Sequence, residues 1–178
     1  TMNVRWTRHR DRHGGPLAVT DIRKVGVIGA GVMGAGIAAH MANAGLHVVL
    51  LDVVPDGANA RNVLSDTAVT RLLKTNPAPF MHKRNARRIV TGNIEDDLNQ
   101  LGECDWIIEA IIENLDAKRA LYARIETERK TDSIVSSNTS TIPLEKLTEG
   151  LPGRFCKDFA ITQDRKSTRL NSSHALNS

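Results

Sequence analysis

The sequence predicts an α/β protein with an open, doubly wound and mostly parallel β-sheet. Short apolar runs, typical of buried strands, alternate along the 178 residues with longer segments of helical periodicity. The first elements are joined by short connections, and a strand–helix–strand unit of this kind places its two strands parallel. A chain of this length suffices for one domain with a hydrophobic core.

The first strand–helix–strand unit is the clearest part of the pattern. The run "KVGVIG" at 24–29 indicates a buried strand, and "HVVLLD" at 47–52 indicates a second. Gly45 suits the position just after the intervening helix. Small residues recur four apart along that helix and predict a face that can lie close against a sheet: Gly34, Ala38 and Ala42.

The alternation continues to the end of the apolar pattern. Amphipathic or turn-bounded segments predict helices at 58–74, 115–130 and 142–150. Apolar runs predict further strands at 87–92, 104–111, 133–138 and 159–162. Strands and helices in this order favour a doubly wound sheet, which we expect to be incomplete at its C-terminal edge.

Charge and composition exclude several classes of protein. The net charge of +4 arises at the ends, because residues 1–19 contribute +3 and residues 164–178 contribute +2, which leaves −1 for residues 20–163. A nucleic-acid partner is therefore not expected. No segment is apolar over the length needed to span a membrane. Cys104 and Cys156 lie far apart without metal-ligand spacing, which favours reduced thiols in a cytoplasmic protein and no metal site.

A glycine-rich turn follows the first strand. Gly29, Gly31 and Gly34 form G-x-G-x-x-G, which opens the first helix, and Asp52 ends the second strand. In this context the first glycine allows a tight turn, the second lets backbone approach a pyrophosphate, and the third lets helix and strand pack closely. The start of the helix, with Val32 and Met33, offers unpaired N–H groups to the phosphates.

Asp52 indicates which dinucleotide is bound. Its carboxylate can accept hydrogen bonds from a ribose diol and would repel a 2′-phosphate, and no arginine follows in "DVVPDG". We therefore expect NAD rather than NADP. The alternative is a close-packed strand-to-helix turn that binds nothing.

Three long blocks of the sequence resemble a known family, the NAD-binding domain of L-3-hydroxyacyl-CoA dehydrogenase. They are "KVGVIGAGVMGAGIAAHMANAGLHVVLLD", "DWIIEAIIENLDAKRALYARIE" and "SSNTSTIPLEKL", and the resemblance covers residues 22–162. It implies a Rossmann-type sheet, NAD as cofactor, and oxidation of 3-hydroxyacyl-CoA to 3-ketoacyl-CoA in fatty-acid β-oxidation. The sequence resembles in particular the long bacterial members that carry further domains after this one, and the resemblance implies a homo-oligomeric parent protein.

The resemblance also implies roles for individual residues. Asp52 matches the aspartate of the adenosine ribose, while Glu113 and Lys118 match positions near the nicotinamide. Ser140 matches a serine that bonds the substrate oxygen, and Asn138 lies in the same turn. The alternatives are structural, since Glu113 and Lys118 suit a solvated helix start and Ser140 and Asn138 suit helix caps.

The family's general base is not found in this sequence. It is a histidine directly after the strand matching "FAIT", oriented by a later glutamate, and Gln163 stands in its place. An amide cannot take up a proton at ordinary pH. The tail "DRKSTRLNSSH" resembles a translated sequencing-library adapter, and fusion to a cut histidine codon would produce Gln163. We expect an artefactual tail at 164–178, a non-native or disordered leader at 1–19, and an inactive, truncated NAD-binding domain at 20–163.

Two other functions remain open from the sequence. The first is a non-catalytic dinucleotide-binding protein, as in lens lambda-crystallin, which resembles the same family. The second is a related β-hydroxyacid dehydrogenase acting on small acids, although "SNTS" and "IIEN" speak against it.

Overall fold

A computed structural model describes residues 5–6 and 20–162 of the chain. Strand β1 (Arg5–Trp6) pairs antiparallel with β2 (Thr20–Asp21). The rest of the predicted leader, Gln163 and the predicted adapter-like tail lie outside the described residues.

A six-stranded parallel sheet forms the body of the molecule, in the order β5-β4-β3-β6-β7-β8. Every neighbouring pair in it is parallel. This is the doubly wound order in which the first strand of the unit lies centrally and successive strands are added to either side. The strands are β3 (Lys24–Ile28), β4 (His47–Asp52), β5 (Ile89–Asn93), β6 (Trp106–Glu109), β7 (Ile134–Ser137) and β8 (Phe159–Ile161).

Helices connect the strands and cover both faces of the sheet. Short 3-10 turns at Lys83–Arg88 and Leu98–Glu103 precede β5 and β6. The α-helices are α1 (Val32–Asn43), α2 (Val63–Lys74), α3 (Leu115–Glu128), α4 (Leu144–Thr148) and α5 (Gly153–Asp158).

The core lies in two layers, one on each face of the sheet. Alternate residues of β4 belong to different layers, since Val48 and Leu50 pack with α1 and α2 whereas Val49 and Leu51 pack on the opposite face. Strands buried on both faces explain the continuous apolar runs in the sequence. On the second face Tyr122, Phe155 and Phe159 form an aromatic cluster with ring centroids 5.1–5.6 Å apart.

The structure confirms most of the predicted elements and corrects some of their ends. The small face of α1 is buried as predicted, and Gly45 follows the helix with a φ of 91°. The helix predicted from residue 58 begins at Val63, after a turn at Gly57 with a φ of 69°. Helix α5 was not predicted, because the sequence after Gly150 has no helical periodicity.

One corrected boundary concerns the site. The strand predicted at 104–111 ends at Glu109, because residues 110 and 111 no longer belong to the β-sheet. The backbone N–H of Ile111 donates to the carboxylate of Glu109 rather than to a neighbouring strand. The chain therefore turns away from the sheet beside the end of β3, and a crevice opens at the point where the strand order reverses.

Candidate functional site

The glycine turn between β3 and α1 is packed against the end of β6. Gly29 has a φ of 104°, and a Cβ there would lie 2.5 Å from the carbonyl oxygen of Ala110. A Cβ on Gly34 would lie 1.8 Å from the carbonyl oxygen of Gly29. Both positions therefore exclude a side chain, the first through its backbone conformation and both through close approach.

The second glycine faces open space. A Cβ on Gly31 would meet no atom within 4 Å. Gly31 is the N-cap of α1, no side chain caps that helix, and no acidic residue lies in its first turn. Val32 and Met33 are exposed by 79% and 49%. The positive end of a twelve-residue helix is thus available to an anion.

Asp52 connects the neighbouring strand to this turn. Its Oδ2 accepts a hydrogen bond of 2.6 Å from the backbone N–H of Ala30, and its Oδ1 accepts one of 2.7 Å from Val53 N–H. Ala30 lies between the first two glycines. The carboxylate therefore helps to hold the turn and remains half-buried at the crevice.

Two cavities meet at the crevice. The first has a volume of about 400 Å³ and is lined by Gly29, Gly31 and Asp52 together with residues of α3. The second, of about 330 Å³, is lined by Met33 and by the predicted site residues Glu113, Asn138 and Ser140. They share one wall, formed by residues 110–112. The two cavities therefore adjoin at this wall.

Glu113 lines the second cavity and is hydrogen-bonded to Ser140, which also lines it. Its carboxylate accepts hydrogen bonds from Thr139 Oγ1 at 2.8 Å and from the N–H of Ser140 at 2.8 Å. The Ser140 hydroxyl lies 3.4 Å from the same carboxylate, and Lys118 Nζ lies 3.8 Å from it. Partial burial opposes ionisation of Glu113, but these hydrogen bonds and the Lys118 charge outweigh it and lower the pKa of the carboxyl.

The structural alternatives for three of the predicted site residues, Lys118, Asn138 and Ser140, do not hold. Lys118 lies in α3 with a side chain exposed by only 1%, so it is not part of a solvated helix start. Helix α4 begins after Pro143 and has no side-chain cap, so neither Asn138 nor Ser140 caps it. The roles of Lys118, Glu113, Asn138 and Ser140 in binding stay predictions.

Sequence reasoning missed the buried carboxylate beside them. Glu109, the last residue of β6, is fully buried and accepts hydrogen bonds of 2.6 Å from Lys118 Nζ, Tyr122 OH and Ser137 Oγ. Burial first, and then the Glu109 charge, raise the pKa of the Tyr122 phenol, so it donates as a neutral group. One signal was available in the sequence: a single acidic residue within the apolar run "WIIEAII".

The residues present fit a dinucleotide. Two glycines form a close-packed turn, the third leaves room above an uncapped helix N-terminus, and a carboxylate lies one strand away. These are the contacts that a diphosphate and a ribose diol need. The strand order and this turn define the chain as a Rossmann-type dinucleotide-binding domain. Residues 24–156 match the family model described as "3-hydroxyacyl-CoA dehydrogenase, NAD binding domain". The chain belongs to this family, whose cofactor is NAD.

Curated relatives support the assignment and are much longer than this chain. A "Probable 3-hydroxyacyl-CoA dehydrogenase" of Deinococcus radiodurans is 50% identical over 138 residues, which cover 78% of this chain and 40% of the relative. A protein of the same name from Bacillus subtilis is 45% identical over 155 residues, covering 79% and 20%. The chain thus spans between one fifth and two fifths of the length of these relatives.

Solved structures agree on the fold. The (S)-3-hydroxybutyryl-CoA dehydrogenase of Ralstonia eutropha matches with a TM-score of 0.58 and 31% identity, over 79% of this chain and 48% of that one. The 3-hydroxybutyryl-CoA dehydrogenase of Escherichia coli has a TM-score of 0.65 at 24% identity, over 80% and 29%, and supports the fold alone.

Proposed function

We propose that this chain is the cofactor-binding part of an enzyme that oxidises 3-hydroxyacyl-CoA to 3-ketoacyl-CoA with NAD in fatty-acid β-oxidation. The observation that most supports it is the Asp52–Ala30 contact, which joins a carboxylate that can take a ribose diol to a turn followed by a helix with no acidic residue in its first turn. The diphosphate would lie over Gly31 at the N-terminus of α1, with Val32 and Met33 beside it. The adenosine end would occupy the cavity lined by Asp52.

The nicotinamide end would occupy the second cavity. When bound, NAD supplies the hydride acceptor for C3 of the substrate. Glu113, held ionised by Thr139 and the N–H of Ser140, would orient the nicotinamide ribose, and Lys118 Nζ lies 3.8 Å from its carboxylate. The exposed Ser140 hydroxyl can contribute a hydrogen bond to the substrate oxygen. Asn138 shapes the same turn, and its backbone N–H donates to the carbonyl of Glu109 at 2.8 Å.

The proton of the substrate hydroxyl needs a separate acceptor. The histidines within residues 20–162 do not line either cavity: His40 is on the exposed side of α1, His47 begins β4, and His82 precedes a 3-10 turn at the other end of the sheet. Gln163, at the position of the family histidine, lies outside the described residues. We therefore propose that this chain binds the cofactor without catalysing hydride transfer.

The cellular compartment and the oligomeric state of the parent protein are also part of this proposal. Cys104 and Cys156 are free thiols, which suits the reducing cytoplasm. No helix within residues 20–162 combines the length and apolarity needed to cross a membrane. We infer a cytoplasmic, homo-oligomeric parent protein that takes 3-hydroxyacyl-CoA, as the family resemblance implies.

Fluorescence titration with NADH tests the binding site. The 178-residue chain is expected to bind NADH, and Asp52→Ala is expected to weaken binding by about tenfold or more, since it removes a charge-assisted contact to the ribose. Glu128→Ala is the matched control, because that exposed carboxylate lies at the far end of α3, away from both cavities. Equal affinities for Asp52→Ala and the unmodified chain would contradict the proposed site.

A further inference from the structure

Glu109 is the most completely paired carboxylate of the site, and its two oxygens have different partners. Oε1 accepts from Lys118 Nζ at 2.6 Å and from the N–H of Ile111 at 2.7 Å. Oε2 accepts from Tyr122 OH and Ser137 Oγ, both at 2.6 Å. The side chains of Glu109 and Lys118 are exposed by 0% and 1%, so the ion pair is dry.

A dry ion pair of this kind is weak support for stability. Desolvation of two charges offsets much of their attraction, and apolar replacements of similar volume are often tolerated. What such a pair does supply is a defined geometry, because every partner must be placed correctly to satisfy it.

The pair holds the wall between the two cavities. Glu109 Oε1 takes the N–H of Ile111, while Lys118 Nζ lies 3.5 Å from the carbonyl oxygen of the same residue. Ile111 is thus held at both of its backbone polar groups, and it lines both cavities. A dinucleotide that occupies both cavities must cross this wall.

The Glu109–Lys118 pair also interacts electrostatically with Glu113, which lines the second cavity. Lys118 Nζ lies 3.8 Å from Glu113 Oε2, and Glu113 accepts from the N–H of Ser140. The adenosine cavity has its own anchor in Asp52, which is bonded to the glycine turn instead. A disturbance of Glu109 therefore acts more strongly on the nicotinamide half of the site, which depends on both the wall and the Lys118–Glu113 contact, than on the adenosine half, which keeps Asp52.

We propose that Glu109 is a positioning residue for the nicotinamide end of the dinucleotide, acting through Lys118 and the Ile111 backbone. This inference rests on the proposed function. The two carboxylate oxygens of Glu109 have different roles under this proposal. Oε1 holds the groups at the cofactor site, and Oε2 holds β6, β7 and α3 together.

The test compares NADH with ADP, which keeps the adenosine and the diphosphate but lacks the nicotinamide and its ribose. Both affinities are measured for the 178-residue chain by calorimetry, and the emission of bound NADH is recorded. Glu109→Gln removes the charge opposite Lys118, and Glu109→Gln/Lys118→Met removes both charges so that none is left buried alone. Both variants are expected to weaken NADH relative to ADP by about fivefold or more and to lower the emission of bound NADH.

Two further variants complete the design. Tyr122→Phe removes a partner of Oε2 only, and it is expected to keep the ratio of the two affinities. Asp52→Ala is expected to weaken both ligands alike. Circular dichroism and thermal unfolding check that each variant is folded.

The outcomes separate the inference from the function on which it rests. If Asp52→Ala weakens both ligands while the folded Glu109 variants keep the original ratio, the positioning role is overturned and the binding site stands. If the double variant fails to fold, the Glu109–Lys118 pair is required for folding, and the positioning role is again overturned. If Asp52→Ala changes neither affinity, the proposed site itself fails, and the inference fails with it.

Discussion

Asp52 and Ala30 are joined by a hydrogen bond of 2.6 Å from the backbone N–H of Ala30 to Oδ2 of the carboxylate. The contact links the end of β4 to the middle of the glycine turn. One side chain therefore shapes the turn that would hold a diphosphate, and the same carboxylate would offer its charge to a ribose bound beside it. These two roles can be separated by substitution.

Asp52→Asn is expected to keep the turn and change the cofactor preference. An asparagine oxygen can still accept from Ala30 N–H, although the contact with Val53 N–H is lost. The negative charge that repels a 2′-phosphate is gone. We expect the preference for NADH over NADPH to fall by about tenfold, measured as the ratio of the two dissociation constants. Glu128→Gln serves as the control, and an unchanged ratio in Asp52→Asn would contradict this role.

The third glycine of the turn is expected to be essential for stability. In Gly34→Ala the new Cβ would overlap the carbonyl oxygen of Gly29, so the free energy of unfolding should fall by about 1–3 kcal/mol or more. Gly36→Ala is the matched control, because it lies in the same helix, exposed, with no atom within 4 Å of a Cβ. Gly36→Ala should raise the free energy of unfolding by about 0.5–1 kcal/mol, as measured in urea. Similar destabilisation by both changes would show that the close approach is unimportant.

The second glycine is expected to matter for binding more than for folding. A Cβ on Gly31 meets no protein atom, so Gly31→Ala should cost stability only through the weaker N-cap, about 1 kcal/mol or less. The methyl group would occupy the space above the helix N-terminus, and NADH affinity should fall by about tenfold or more. Titration of NADH alongside a urea melt separates the two effects. Unchanged NADH affinity would place the diphosphate elsewhere.

The two cysteines are expected to differ in reactivity. Burial raises the pKa of the Cys104 thiol to about 12, so it is protonated as well as inaccessible at neutral pH, whereas Cys156 is exposed. Because the thiolate is the reactive form, a thiol reagent should modify Cys156 in the native chain and both cysteines in denaturant. Cys156→Ser should then abolish native labelling. Rapid labelling of native Cys156→Ser would contradict the burial of Cys104.

Glu113 is expected to make stability depend on pH in acid. Its pKa in the folded chain lies below the usual value of 4.5, so its ionised form stabilises the fold above that value. The contribution is lost as the pH falls through the lower folded-state pKa. Thermal unfolding of the chain and of Glu113→Gln should therefore differ near neutral pH and converge in strong acid. A difference that is the same at both extremes would assign Glu113 a role independent of its charge.

Local patterns in the sequence determined the order of the elements and the cofactor turn. The parallel sheet follows from apolar runs alternating with helical periodicity. The glycine spacing followed by Asp52 predicts a dinucleotide turn, because each glycine meets a constraint of the nearby backbone. Constraints of this kind involve residues close together in the sequence, so the sequence alone can predict them.

Other features of the site depend on contacts between distant segments. Glu113 and Lys118 were selected by resemblance, but only the fold shows that one is bonded to the turn at Ser140 and the other is buried beside it. Helix α5 forms without a periodic pattern, because Phe155 packs on Tyr122 and Phe159 from other elements.

The sequence by itself thus determined the sheet, the glycine turn and the carboxylate beside it. The tertiary structure alone decided that Glu109, an acidic residue in an apolar strand, is paired with a lysine nine positions further on and with a serine from the next strand. A buried charge is stable only where the fold brings donors to it, and no pattern of neighbouring residues specifies which donors those are.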